Sequence, residues 1–160
     1  LVASIRSQDF SDYEIIIADD NSTDATVAIA KKYTDKIEVN QGGKRGIAAN
    51  RNRGAKIARG NFLVFIDSDV SIPNPNIFFS TTIEAFQQNQ SIVALTVFNR
   101  VEPPLETMAD KIILEFFNYL FLLLNNFLRF GASSGKFQMA RADAFQAGFI
   151  DAMHALWAAR

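Results

Sequence analysis

The chain has 160 residues, one domain's length and enough to bury a real core. Sixteen Lys and Arg against 17 Asp and Glu leave a formal charge of −1, so no general polyanion binding is implied and nucleic acid is not an expected partner. The absence of cysteine excludes disulfides and thiolate metal sites and fits a reducing compartment. No charged region, apolar core and cleavage site follow Leu1, so no signal peptide is expected. Leu1, Val2, Ile5 and Phe10 instead have the spacing of the tail of an amphipathic helix, as in a fragment.

Residues 13–18 (YEIIIA) form an apolar run suited to a buried strand, and the run ends in Asp19 and Asp20. Asn21, Ser22, Thr23 and Asp24 are turn formers and caps that open a helix over 25–33. A carboxylate at such a strand end can accept a hydrogen bond from a base NH or a ribose hydroxyl. Residues 36–39 alternate as a short strand, and Gln41, Gly42 and Gly43 make a flexible loop. The segment 46–59 (GIAANRNRGAKIAR) predicts a basic, alanine-rich helix whose small residues let it lie close to a sheet. Arg51, Asn52, Arg53, Lys56 and Arg59 give it its basic character and are candidates to face a diphosphate, Arg51 and Asn52 foremost.

Residues 62–66 (FLVFI) predict a strand covered on both faces, and Asp67 and Asp69 follow it. In an extended chain the period of two puts both carboxylates on one side, at the end of the strand where ligands of open α/β sheets bind. Two such acids repel unless something positive lies between them. A hard divalent cation, Mg²⁺ or Mn²⁺, does this with one or two carboxylates, waters and substrate phosphates, so D-x-D reads as a metal-diphosphate site. Pro73 and Pro75 stop the strand and lead into a helix over 76–88, and 92–98 is the next apolar strand. Strand and helix alternate throughout, which predicts an α/β fold with a mostly parallel sheet and helices on both faces.

After a break at Pro103 and Pro104 comes a long apolar amphipathic helix, at about 106–129. Lys111, Glu115, Asn118, Asn125, Asn126 and Arg129 mark its polar stripe. Spanning a bilayer takes about 20 predominantly apolar residues, and this stripe interrupts the run too often. The alternatives are an interfacial helix at a membrane surface or a helix buried in a core or dimer interface. A loop over 131–135, a short strand over 136–140 and a helical turn over 141–147 ended by Gly148 follow. The last piece, 150–160, is helix-like and holds His154 and Trp157.

Assembled, these segments resemble a family 2 glycosyltransferase of the GT-A, Rossmann-like fold, over nearly the whole length. YEIIIADDNSTDAT resembles the family's strand, double acid and turn. GIAANRNRGAKIARG resembles its G-x-x-A-x-R-N-x-G helix, FLVFIDSDV its D-x-D strand, and FQMARADAFQAGFID its acceptor-side segment. The resemblance implies one domain with a nucleotide-sugar-binding half over 1–100 and an acceptor-side half over 101–160. It implies that Asp20, with Asp19 beside it, recognises the base, that Asp67 contacts the ribose, and that Asp69 holds Mn²⁺ or Mg²⁺. Arg51 and Asn52 would line the donor site, and Arg141 would lie on the acceptor side. The implied reaction moves a sugar from a nucleotide-sugar, a UDP-sugar by default, to a saccharide or lipid-linked acceptor hydroxyl, usually with inversion. The implied setting is cytoplasmic, peripheral on the inner face of the membrane.

Departures from the family pattern set further expectations. The family's first strand would precede Leu1, position 50 is Asn in place of a small residue, and one Gly of the turn near Gly148 is missing. The family's general base is an acid shortly after that turn, but the one acid here, Asp151, matches the turn's own Asp. No catalytic base is assigned, and a truncated, non-catalytic homologue is one alternative. Another is a phosphoacceptor receiver domain, which shares the double acid and the later Asp. A receiver also needs a Lys at the end of its last strand, a setting that neither Lys111 nor Lys136 has in the sequence.

Overall fold

The computed structural model describes residues 1–127 and 135–147. In chain order these form α1 (Val2–Arg6), β1 (Ile17–Asp19), α2 (Thr26–Ala30), β2 (Ile37–Val39), α3 (Ile47–Ile57), β3 (Phe62–Ile66), α4 (Pro75–Gln88), β4 (Ala94–Thr96), α5 (Met108–Asn126), β5 (Phe137–Arg141) and α6 (Ala142–Gln146). The expected loop residues 131–134, the helix end with Arg129, and the pieces around Gly148, Asp151, His154 and Trp157 lie outside the described residues.

The strands form two ladders. β1 and β2 are parallel, with Ile17 opposite Ile37 and Asp19 opposite Val39. The other ladder has the order β3-β5-β4. β5 is antiparallel to both neighbours, Phe62 facing Arg141, Ile66 facing Phe137 and Ala94 facing Ala140. β3 and β4 therefore run the same way, as a strand-helix-strand crossover through α4 requires. The late strand β5 fills the space between them. An antiparallel strand between two parallel ones is not the all-parallel order of a receiver domain, and it removes that alternative.

Two strands are shorter than their apolar runs. The expected strand over 13–18 pairs over Ile17–Asp19 alone, because its partner β2 is three residues long. The run 92–98 pairs over Ala94–Thr96. Just beyond it, the Asn118 carboxamide accepts from the Asn99 N–H (3.2 Å) and donates to the Asn99 carbonyl (3.0 Å). A side-chain amide thus supplies the donor and acceptor that a neighbouring strand would have offered.

The core lies between α4 and the three-stranded sheet. Phe86, Phe137 and Met139 are fully buried, and Phe62, Ile66, Phe78, Ile83 and Leu95 pack against them. Phe78 meets Phe137 edge-on at 4.9 Å and Phe62 lies 5.0 Å from Phe86, geometries that aromatic pairs prefer. α4 starts where it does because the Asn74 side chain accepts from Ile77 N and Pro75 occupies the first turn. On the other face of the sheet, Phe65 meets Phe145 of α6 at 5.4 Å and the Arg51 guanidinium of α3 at 5.9 Å. Helices thus cover both faces.

α5 begins with a reciprocal capping box between Thr107 and Asp110. Its orientation differs from the one its polar stripe predicts. Asn118, expected on the solvent side, is 5% exposed, whereas Ile112, Phe116 and Phe127 are 64%, 62% and 76% exposed. The need to pair the Asn99 backbone draws Asn118 inward and leaves much of the apolar face outward. No helix among the described residues is long and apolar enough to cross a membrane.

Candidate functional site

Asp20 and Asp67, each one residue past the end of its strand, meet a cation from α3. Asp19, at the end of β1, is 4% exposed and turned into its own loop, accepting from Ser22 N (2.8 Å) and Ser22 Oγ (2.5 Å). Asn21 takes φ 68°, a left-handed conformation that Asn tolerates, and so completes the tight turn. Asp19 therefore shapes the loop that presents Asp20.

Asp20 accepts from Asn40 Nδ2 (2.7 Å), Gly46 N (3.1 Å) and Arg53 Nη2 (2.9 Å). These donors, the Asn40 amide foremost, hold its carboxyl below the usual carboxylate range. Asn40 is 2% exposed and also accepts from Gly43 N (2.8 Å), fixing the glycine loop between β2 and α3. Gly46 enters α3 with φ 110° and ψ 164°, a conformation open essentially to glycine alone. Its amide is thereby aimed at Asp20.

The second cluster lies where β3 ends and β5 begins. Arg51 Nη2 donates to Asp67 Oδ1 (2.8 Å), Nη1 donates to Gln138 Oε1 (3.2 Å), and a further bond goes to the Gly135 carbonyl. Its side chain is 11% exposed. The planar fork serves three acceptors at once, which an ammonium on a stem could not do. Asp69 accepts from Lys136 Nζ at 2.6 Å, and the same ammonium lies 3.7 Å from Asp67 Oδ2. Lys136 holds the Asp69 carboxyl below its ordinary value, and Asp69 in turn raises the lysine.

The two clusters are joined through α3. Asn50, on the same face as Arg53, donates to the Ala18 carbonyl of β1 (2.6 Å) and accepts from Arg53 (2.8 Å). Arg51, one residue along, reaches β3 and β5. Gly54 packs the helix onto β1, where an added Cβ would lie 3.5 Å from that of Ala18. One helix thus ties the ends of both ladders together. Asn52 is half-buried beside these residues and makes no side-chain hydrogen bond with another described residue.

Arg141 is not brought to this place. It faces Phe62, at the opposite end of β3 from Asp67. Its guanidinium donates to the carbonyls of Ile92 (2.9 Å) and Phe86 (2.7 Å) and lies over the Phe62 and Phe86 rings at 5.7 and 5.3 Å. These contacts pin the end of α4 to β5 and set Arg141 apart from the Asp67–Asp69 pair. Asn40, Lys136 and Gln138 are site members that local sequence does not single out, and Arg53 is one of several basic residues of its helix that it does not separate from the rest. Asn40 carried one usable signal, a polar residue where β2 opens into a Gly-Gly loop.

The donor set fits a hard divalent cation. Asp69 is exposed, and the Lys136 ammonium marks the space between the two carboxylates as a cation position. No group of three or more His, Cys, Asp or Glu gathers among the described residues, so these residues offer two carboxylates, and water or phosphate can supply further ligands.

The sequence is similar to the GalNAc(5)-diNAcBac-PP-undecaprenol beta-1,3-glucosyltransferase of Campylobacter jejuni, 42% identical over 73 residues, 42% of this chain and 24% of that protein. It is 43% identical to the UDP-Glc:alpha-D-GlcNAc-diphosphoundecaprenol beta-1,3-glucosyltransferase WfaP of Escherichia coli over 70 residues, 42% of this chain and 28% of that protein. With the poly(ribitol-phosphate) beta-glucosyltransferase of Bacillus spizizenii it shares 31% identity over 123 residues, 64% of this chain and 19% of that protein. The chain thus matches less than a third of the length of each of these relatives. The model of glycosyl transferase family 2 matches residues 1–149, nearly the whole chain, and the chain belongs to that family.

Proposed function

We propose that this chain forms the donor-binding part of a glycosyltransferase that moves a sugar from a nucleoside-diphosphate sugar to an acceptor hydroxyl with inversion. The observation that carries this reading is the joining, by α3, of the Asp20 cluster and the Asp67–Asp69 pair at the ends of β1 and β3. A nucleotide has a neutral, hydrogen-bonding end and an anionic end, and the two clusters match that division. Asp20 keeps lone pairs beyond its three bonds with which to accept from a base NH. Asp67, oriented by Arg51, is placed for a ribose hydroxyl, and Asn52 has its amide available nearby.

Asp69 would hold Mn²⁺ or Mg²⁺. When bound, such an ion neutralises the diphosphate and stabilises its departure as the acceptor oxygen attacks the anomeric carbon. Arg51 is fixed by three acceptors and keeps Asp67 from rotating away. UDP is the preferred nucleotide, in line with the donor in the name of the Escherichia coli relative. No described residue is assigned as general base. Calorimetric titration of UDP, then GDP, with Mn²⁺ and again with EDTA tests this reading, with Asp69→Ala as control. Binding that needs both metal and Asp69 is expected; nucleotide binding indifferent to both would overturn the metal assignment.

We further propose that the acceptor is lipid-linked and that the protein sits peripherally on the cytoplasmic face of a membrane. Two of the relatives are named for undecaprenol-linked substrates. The exposed Ile112, Ile113, Phe116, Leu123 and Phe127 of α5 form the kind of apolar face that enters a headgroup boundary. Co-sedimentation with anionic liposomes is expected, and Leu123→Glu should weaken it. Equal sedimentation of the two proteins would remove α5 from the account.

A further inference from the structure

Lys136 is the one member of the acid cluster that the donor-site reading leaves without a task. Its backbone is fixed, since Asp67 N donates to the Lys136 carbonyl at 3.2 Å and extends the β3–β5 ladder by one residue. Its head is more exposed than that of Arg51. The side chain is 43% exposed and its ammonium lies 2.6 Å from Asp69 and 3.7 Å from Asp67. Arg51 differs, being 11% exposed and locked by Asp67, Gln138 and the Gly135 carbonyl. Two carboxylates therefore face two cations, one fixed and one carried on a flexible stem of four carbons.

A divalent ion held between Asp67 and Asp69 would take the position that the ammonium holds. The displaced head, on its flexible stem, would then be available to an anion that accompanies the ion. We propose that Lys136 is the resident counter-cation of the Asp67–Asp69 pair and becomes a ligand of the donor diphosphate once that pair is occupied. Lys136 thus competes with a divalent ion in the empty site and cooperates with it in the loaded one. This rests on the donor-site reading. It differs from a plain cross-strand ion pair, which would leave both ligands indifferent to the lysine.

The test uses the full chain as wild type, Lys136→Met and Asp69→Ala. Binding of Mn²⁺ alone is followed by paramagnetic resonance of the free ion, and UDP affinity at saturating Mn²⁺ by calorimetry. Met keeps the apolar stem, and a urea melt checks that the variant folds. Loss of an exposed ion pair predicts that Lys136→Met binds Mn²⁺ roughly two- to five-fold more tightly. A lost charge-assisted phosphate contact predicts UDP binding weaker by about five-fold or more. Failure of either change, with Asp69→Ala still abolishing Mn²⁺ binding, overturns the role of Lys136 and leaves the donor site standing. Absence of both Mn²⁺ and UDP binding in the wild type removes the donor-site reading and this inference together.

Discussion

Arg51 is the residue whose loss should be felt most widely, because it connects α3, β3 and β5 through one guanidinium. Arg51→Met keeps the length and apolar stem and removes the donors. The bond to Asp67 is charge-assisted, but Asp67 is 33% exposed, so solvent screening limits its worth to about 1–2 kcal/mol. The bonds to Gln138, 7% exposed, and to the Gly135 carbonyl contribute about 0.5–1.5 kcal/mol each. They share one group and are not additive, so the expected loss is about 2–4 kcal/mol. With a urea slope near 2 kcal/mol/M, the midpoint should fall by about 1–2 M with the slope unchanged. Arg51→Lys should lose about half as much, since an ammonium cannot serve three separated acceptors. A midpoint shift for Arg51→Met below about 0.3 M would refute the view that this side chain holds the site together.

Other expectations follow from single contacts. Arg141→Met removes two bonds to carbonyls and two ring contacts, and should cost about 2–3 kcal/mol in urea melts while leaving UDP affinity unchanged; a changed affinity would give this residue a part in the donor site. Gly46→Ala meets no atom within 4 Å, so its cost is the strain of φ 110°, about 1–3 kcal/mol, and it should weaken UDP binding by misaiming the amide at Asp20. Gly54→Ala makes ordinary contacts at 3.5 and 3.6 Å and should instead stabilise α3 by about 0.5–1 kcal/mol; destabilisation would mean that the helix lies closer to β1 than described. The Asp20 carboxyl is held low in the folded protein, so its contribution to stability is fully present above the unfolded carboxylate value and is lost as pH falls through the folded one. Stability with Asp20→Asn as reference should therefore differ between the two proteins above about pH 4 and converge below it; a difference that vanishes near neutrality would contradict this.

Much of the frame was legible in local sequence. Phe62–Ile66 is a strand with its predicted bounds because an unbroken apolar run ends sharply at Asp67. Asn74 and Pro75 likewise fix the start of α4. What local pattern could not reveal is who pairs with whom. β5 lies between β3 and β4 although it follows them by a 19-residue helix, and its antiparallel register decides how much of 92–98 becomes strand. The same limit applied to the site. Asp20, Asp67 and Asp69 stand out from sequence as acids at strand ends, but the hydrogen-bond partners of their carboxylates come from 16 to 67 positions away. Asn118 shows the converse, a residue that periodicity assigns to solvent and that its two bonds to the Asn99 backbone hold inward.

The central claim is that the Asp20 cluster and the Asp67–Asp69 pair form a single nucleotide site. Amide chemical shifts of isotope-labelled protein, followed as UDP is added with Mg²⁺, test it most directly. The account predicts that the Asn40 and Gly46 amides and the Asp67 and Lys136 amides move together, with one shared dissociation constant. Shifts confined to one cluster, or centred elsewhere on the chain, would contradict it.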